Sequence, residues 1–167
     1  MVDDDRNIRR MLAATLDSPE QDVTEAESAN AAIESLAAMP YDVVISDVRM
    51  PGMNGMQLLE EIKRRDSTMP VIMMTAFGTI PDAVEAIRLG AYDYLTKPFS
   101  AENLRRIVSR ARELQNLKTE VRTLRSKLER RHIESVIQHA MTFEEAADML
   151  GINVATLWRK RRRYGFK

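Results

Sequence analysis

The sequence predicts an α/β fold with a doubly wound, five-stranded parallel sheet, followed by a long helix and a small all-helical unit. Over the first 100 residues, short apolar runs alternate with amphipathic helical patterns. This alternation is typical of a parallel sheet covered by helices on both faces. From Ser100 the pattern is continuously helical, and neither Pro nor Gly occurs between Ala101 and Leu150. Residues 132–167 combine helical periodicity with capping and stop signals.

The individual elements follow from local periodicity and turn residues. Helical patterns lie at about 6–17, 28–38, 56–65 and 82–89, and apolar strands at 42–46, 70–75 and 91–95. Only Met1 and Val2 precede the first carboxylates. The first strand is therefore expected to be a truncated stub, and we expect the natural chain to start upstream or to have been shortened.

Composition excludes several classes of protein. The chain has no cysteine, which removes disulfides and thiolate metal sites and fits a reducing cytoplasm. No apolar run approaches the roughly 20 residues that span a bilayer, so we expect a cytoplasmic protein without a membrane segment. Residues 1–100 carry 17 acidic and 9 basic side chains, whereas residues 101–131 carry 4 and 10. An acidic head and a basic tail indicate either a polyanion partner for the tail or a solvated helix face.

The long helix carries an apolar stripe with heptad spacing. Its members step by three and four residues: Leu114, Leu117, Val121, Leu124 and Leu128, and Ile107 extends the stripe backwards by one heptad. The intervening positions are mostly charged or polar. The pattern favours a parallel two-stranded coiled coil and thus a homodimer, while the alternative is a single helix packed on its own first domain. We place the domains at 1–110, 111–131 (coiled coil) and 132–167.

The pattern of residues 132–167 predicts a helix-turn-helix. Thr142 and Glu145 form a capping box that opens one short helix, and Gly151 ends it. Asn153 is expected to cap a basic helix from about 154 to 164, which Gly165 ends. Two short helices around a Gly-containing turn, the second very basic, predict a DNA-binding unit.

Carboxylates and two partners follow the predicted strands. Asp3 and Asp4 follow the stub, Asp47 and Thr75 end two strands, and Lys97 follows the last one. Because the carboxyl ends of parallel strands meet at one edge, we expect these side chains to converge. Three carboxylates are tolerable around Mg²⁺, beside which a carboxylate can attack a phosphoryl group. The alternative is a set of unrelated surface charges.

Four motifs connect this site with a known family. The stretches VDDD (2–5), SDVRMPGMNG (46–55), MTA (74–76) and YLTKPF (94–99) resemble the receiver domains of two-component response regulators, in particular those of the NtrC type. The resemblance implies a flavodoxin/CheY-like fold and a phosphoprotein in which a sensor histidine kinase phosphorylates Asp47. It implies Mg²⁺ bound by Asp4, Asp47 and the Arg49 carbonyl, with Asp3 acting through water. Thr75 and Tyr94 would be the switch pair, Lys97 the phosphate sensor, and the Lys97–Pro98 bond cis.

The C-terminal stretch 143–165 resembles the Fis-type helix-turn-helix that ends NtrC-type regulators. By that resemblance the basic helix at about 154–164 enters the major groove, and eight side chains are expected to contact DNA: Asn153, Val154, Thr156, Trp158, Arg159, Lys160, Arg162 and Arg163. Arg161 stands where the family often has leucine. Either its stem packs while its head reaches solvent, or that edge of the core is looser.

Together these features predict a transcription regulator of a two-component system, not an enzyme acting on a separate substrate. Phosphorylation of Asp47 would change dimer packing and binding to double-stranded DNA with a palindromic operator. The ATPase domain of NtrC-type activators is missing, because no phosphate-binding loop of the form GxxxxGK[ST] occurs. The alternative is a phosphotransfer or dimerisation adaptor, or a fragment of a larger activator, with little DNA binding of its own.

Overall fold

The computed structural model describes residues 1–19, 21–76 and 78–166. Three strands and seven helices are formed by these residues: α1 Arg6–Leu16, α2 Ala29–Ala38, β1 Val44–Asp47, α3 Gly55–Arg65, β2 Val71–Thr75, α4 Ile80–Arg88, β3 Asp93–Thr96, α5 Ala101–His139, α6 Phe143–Met149 and α7 Val154–Tyr164. The chain divides into two compact units, 1–118 and 119–167.

The sheet of the first unit is parallel, in the order β1–β2–β3. Val2 forms isolated parallel bridges with Ser46 of β1 on one side and with Ala26 on the other, so Val2 adjoins β1 and Ala26 adjoins Val2. The Val2 N–H donates to the Ile45 carbonyl over 2.7 Å, and the Asp47 N–H donates to the Val2 carbonyl over 2.9 Å. The predicted parallel α/β fold is therefore confirmed, with the first strand reduced to the expected stub.

Helices cover both faces of this sheet. Val71 and Met73 point to a core formed with α2 and α3, whereas Ile72 and Met74 point to a core formed with α1 and the start of α5. This alternation follows from the two-residue period of a strand. Because all five residues of β2 are buried, the strand is apolar throughout, apart from Thr75 at its end. The buried apolar part of β2 therefore ends at Thr75, which places this polar residue at the carboxyl edge of the sheet.

The first turns of α5 belong to the core of the first unit. Leu104 and Ile107 are buried there together with Val108 and Ala111. The prediction that Ile107 extends the heptad stripe is therefore wrong, because this side chain packs against the sheet-covering α1. The apolar stripe is exposed only farther along the helix, where Leu117 and Leu128 are 53% and 65% exposed.

The second unit has a small apolar core of its own. The end of α5 contributes Ile133, α6 contributes Ala146 and Ala147, and α7 contributes Leu157, all buried. Among the described residues, no helix is both long and apolar enough to cross a membrane.

Candidate functional site

The polar side chains predicted to meet at the carboxyl edge of the sheet do meet there. Asp3, Asp47 and Thr75 are buried, although they are polar. The ammonium group of Lys97 donates to Asp3 Oδ2 over 2.8 Å and to Asp47 Oδ1 over 2.6 Å. Residues 44 to 94 positions apart in sequence thus form one charged cluster. The Lys97–Pro98 bond that begins the following loop is cis, as predicted.

Backbone groups hold both carboxylates in place. The Arg49 N–H donates to Asp47 Oδ2 over 2.7 Å, and the Asp5 N–H donates to Asp3 Oδ1 over 2.9 Å. Each carboxylate therefore uses one oxygen for the loop that follows it and the other for Lys97. Hydrogen bonds to charged groups are among the stronger ones in proteins, so this arrangement orients the Asp47 side chain firmly.

Two effects compete at Lys97. Burial lowers the pKa of its amine, but the hydrogen bonds and charges of Asp3 and Asp47 together outweigh burial and raise the pKa above its ordinary value of 10.5. The lysine is therefore charged at neutral pH. It supplies one positive charge that the two buried carboxylates share.

The same edge of the sheet carries possible ligands for Mg²⁺. Asp4 is exposed, directly beside the buried Asp3. Among the described residues, no three acidic, cysteine or histidine side chains gather closely enough to form a metal group by themselves. The donor chemistry nevertheless fits a hard cation, because Asp4, Asp47 and the Arg49 carbonyl offer oxygen ligands, which Mg²⁺ prefers.

The predicted switch residues lie next to this cluster. Thr75 ends β2 and is 1% exposed, and Tyr94 lies on β3 next to β2. Burial raises the pKa of the Tyr94 hydroxyl, with a smaller rise from Asp82, while the Thr75 side chain beside it acts in the opposite direction. Thr75 and Tyr94 therefore share one environment. Phe77, in the loop after Thr75, lies outside the described residues.

Gly55 is a part of the site that the sequence reasoning missed. A Cβ atom at this position would lie 2.0 Å from the Asp47 carbonyl oxygen. The Gly55 N–H also donates to the Val48 carbonyl over 2.9 Å. The absence of a side chain therefore lets the first turn of α3 pack directly on the backbone of the Asp47 loop. The sequence feature that could have indicated this close contact is a glycine directly after Asn54, the residue that caps α3.

The second unit has the capped helices expected of a helix-turn-helix. Asn153 caps α7 by accepting the Thr156 N–H over 2.7 Å, and Gly151 and Gly165 both have positive φ after their helices. Thr142 caps α6 as predicted. The reciprocal half of the capping box is wrong, because the Glu145 carboxylate accepts the N–H of Met141 instead of that of Thr142.

The basic side chains of α7 do not all face solvent. Arg159, Arg162 and Arg163 are exposed. Lys160 instead forms an ion pair with Glu129 of α5, and that carboxylate also accepts the Tyr164 hydroxyl. Near the start of the helix, Asn153 is exposed, whereas Val154 packs partly against the core of the unit.

An aromatic and cationic stack explains how Arg161 is accommodated. The rings of Phe143 and Trp158 lie 4.9 Å apart, and the Arg161 guanidinium lies 5.1 Å from the Trp158 ring centroid and 5.7 Å from that of Phe143. The arginine therefore covers two rings, an attractive cation–π arrangement. Trp158 remains 54% exposed.

A parallel sheet with a lysine-bridged aspartate pair, followed by a helix-turn-helix, defines a signal-receiving regulator with a DNA-binding unit. The family model of the response regulator receiver domain matches residues 1–109, and that of the bacterial regulatory protein, Fis family, matches residues 122–164. The chain belongs to the response regulators of two-component systems. The 12 residues between the two matches leave no room for an ATPase domain.

Similar proteins agree with this assignment. The chain is 41% identical over 128 residues to the regulatory protein AtoC of Escherichia coli K12 (77% of this chain, 28% of AtoC). It is 43% identical over 111 residues to the DNA-binding transcriptional regulator NtrC of Klebsiella pneumoniae (66% and 24%). The chain thus spans about a quarter of the length of each of these relatives. A receiver domain structure from Clostridium thermocellum matches with a TM-score of 0.65 and 31% identity, covering 70% of this chain and 94% of that one.

The Lys97 cluster yields a test of stability. Replacing Lys97 by Met leaves two buried carboxylates without their shared cation, so we expect the free energy of unfolding of the first unit to fall by about 1–3 kcal/mol at pH 7. Because the pKa of Lys97 is raised by folding, its stabilisation is complete below pH 10.5 and is lost as the pH rises through the higher folded value. The difference between wild type and variant should therefore shrink at strongly alkaline pH, as measured by urea unfolding.

The exposed Lys118, replaced by Met, is the matched control and should change stability by no more than about 0.5 kcal/mol. Equal stability of wild type and Lys97→Met at pH 7 would contradict the assigned role of the ion pair.

Proposed function

We propose that this protein is a phosphorylation-controlled DNA-binding regulator in which Asp47 accepts a phosphoryl group from a sensor histidine kinase. The observation that carries the proposal is the joint contact of Lys97 with Asp3 and Asp47 at the sheet edge. This arrangement supplies a buried, oriented carboxylate together with a cation that can bind phosphoryl oxygens. The family membership supports the same reading.

The proposed reaction is a direct phosphoryl transfer. An Asp47 carboxylate oxygen attacks phosphorus, forming an acyl phosphate, while the bond from phosphorus to the kinase histidine nitrogen breaks and that nitrogen keeps the electron pair. Lys97 then exchanges its contact with Asp47 for one with a phosphoryl oxygen. Asp4, Asp47 and the Arg49 carbonyl would hold Mg²⁺, with Asp3 acting through water, and the metal would neutralise charge on the phosphoryl oxygens. The chemistry stays on this chain's own aspartate, without turnover of a separate substrate.

The signal is proposed to leave the site through Thr75 and Tyr94. The Thr75 hydroxyl donates to the new phosphoryl group, which draws the end of β2 towards Asp47. Tyr94, which shares its environment with Thr75, then repacks and alters the surface beside α4. The tight space around Gly78, where a Cβ atom would lie 3.1 Å from the Thr75 methyl and 3.2 Å from the Tyr94 ring, favours coupled movement of these groups.

DNA binding is assigned to α7. The exposed residues Asn153 and Arg159, together with Thr156, lie near its N-terminal end, the part of a recognition helix that approaches bases in the major groove. Arg162 and Arg163 add positive charge for the phosphate backbone. The indole ring of Trp158, which is about half exposed, is a further candidate for contact with the DNA backbone.

A dimer is proposed to pair two such units. Leu117, Val121, Leu124 and Leu128 are each about half exposed or more, although they form one stripe on α5. A second copy of the same helix would cover this stripe in a coiled coil. Two linked recognition helices on a palindromic operator bind far more tightly than one.

We expect DNA binding to respond to a phosphoryl mimic. A duplex selected from a random library should bind with an affinity that changes several-fold when beryllofluoride and Mg²⁺ are added, and Asp47→Ala should abolish the change, as measured by fluorescence anisotropy. The physical reason is that the mimic occupies the place of the phosphoryl group and engages Thr75 and Lys97.

If the protein binds DNA specifically but with the same affinity in the presence and absence of the mimic, its first domain does not control DNA binding. Absence of specific binding in both states, even at low salt, would favour the phosphotransfer or dimerisation adaptor instead.

The stripe on α5 predicts how the dimer can be broken. Leu124→Lys places a charge on the stripe and should convert the dimer to monomer in sedimentation equilibrium, because a buried unpaired charge is costly. Thr123→Lys adds the same charge to a neighbouring exposed position outside the stripe and should leave the dimer intact. A wild-type protein that stays monomeric at every accessible concentration would contradict the coiled-coil assignment.

A further inference from the structure

A single carboxylate on α5 holds two side chains of α7. One oxygen of Glu129 accepts the ammonium group of Lys160, and the other accepts the hydroxyl of Tyr164. Lys160 and Tyr164 are four residues apart and therefore lie on the same face of α7, one turn from each other. Glu129 thus spans a full turn of the basic helix. The Lys160 ammonium, followed by the Tyr164 hydroxyl, keeps the pKa of Glu129 below its ordinary value.

This contact continues an apolar contact between the same helices. Ile133, one turn after Glu129 on α5, is buried with Leu157 of α7. Leu157 lies one turn before Lys160, so the two helices meet first through apolar and then through polar side chains. Beyond them, the Arg130 guanidinium lies 5.7 Å from the centroid of the Phe166 ring. The apolar core of the unit thus contacts α7 along its length, and Glu129 adds a polar contact to its C-terminal half.

We propose that Glu129 is a positioning residue that sets DNA specificity by holding Lys160 and Tyr164 against α5. The proposal rests on the proposed DNA binding and goes beyond it. It also replaces the prediction that Lys160 contacts DNA.

Charge and orientation both support this role. Residues 159–163 are five consecutive basic side chains, and each phosphate contact strengthens binding to any sequence equally. Glu129 keeps one of these cations away from the backbone of the DNA and adds a negative charge beside the helix. It also fixes the direction of α7, on which base contacts depend, because discrimination requires donors and acceptors in fixed places.

The test compares Glu129→Gln with wild type in the full chain, using the duplex selected by the wild type and a duplex of scrambled sequence. Release of Lys160 should add one phosphate contact. The slope of log K against log salt should then steepen by about 0.9, and the scrambled duplex should bind about five-fold more tightly near physiological salt. The ratio of affinities for selected and scrambled duplex should fall.

Two further variants test whether Lys160 causes the change in salt slope. Lys160→Gln alone should leave the wild-type salt slope unchanged, and Glu129→Gln with Lys160→Gln should restore it. Glu134→Gln removes an equal charge from the same helix and should have no effect, because Glu134 forms no ion pair among the described residues. Acylation of the Lys160 amine by an activated ester, read by mass spectrometry without DNA, should increase in Glu129→Gln only.

The outcomes separate the two proposals. If the wild type binds no DNA, the proposed function fails, and the specificity role fails with it, whatever the acylation result. If the wild type binds DNA but Glu129→Gln keeps the same salt slope and the same affinity ratio, only the role of Glu129 is overturned. Weaker binding to both duplexes at an unchanged slope would also overturn it, because Glu129 would then only stabilise the unit.

Discussion

The architecture of the first unit depends on one interaction, the shared contact of Lys97 with the carboxylates of Asp3 and Asp47. Burying two like charges at a sheet edge is unfavourable unless a cation joins them, and burying a lysine is unfavourable unless carboxylates face it. The two buried carboxylates and the partly buried lysine therefore depend on one another, and their contact requires the ends of three strand positions to align. The register of the parallel sheet brings them there, and the loops after Asp3 and Asp47 orient their carboxylates through backbone N–H groups. The same contact makes this edge of the sheet sensitive to phosphorylation, because a phosphoryl group on Asp47 would compete with the two carboxylates for Lys97.

The long helix α5 has three different environments along its length. Its first turns are buried in the core of the first unit, its middle carries exposed apolar side chains, and its last turns support α7 through Ile133 and Glu129. A single helix can have all three because side chains three or four residues apart share a face, so each segment presents its own stripe. In the proposed dimer, the middle segment pairs two chains, while the last segment sets the direction of each recognition helix.

Much of this was predictable from local signals. The alternation of apolar runs and helical patterns predicted the doubly wound sheet, and the motifs around Asp47 and Lys97 predicted the cluster at its edge. The caps at Thr142 and Asn153 predicted α6 and α7. What failed depended on contacts distant in sequence: Ile107 fits the heptad spacing but packs in the first unit. The partner of Lys160 is 31 residues away, so a run of basic residues could not show which of its members faces protein. The choice left open for Arg161 was likewise decided by two aromatic rings, one of them on another helix.

In the proposed function, the contact of Lys97 with Asp3 and Asp47 prepares Asp47 to accept a phosphoryl group. The most direct measurement is to incubate the protein with acetyl phosphate and Mg²⁺ and to locate any added phosphoryl group by peptide mass spectrometry. We expect one phosphoryl group per chain, on Asp47, and a much lower yield for Lys97→Met. An unmodified Asp47 in a folded protein, or modification at another residue that persists in Asp47→Ala, would contradict the role proposed for Asp47.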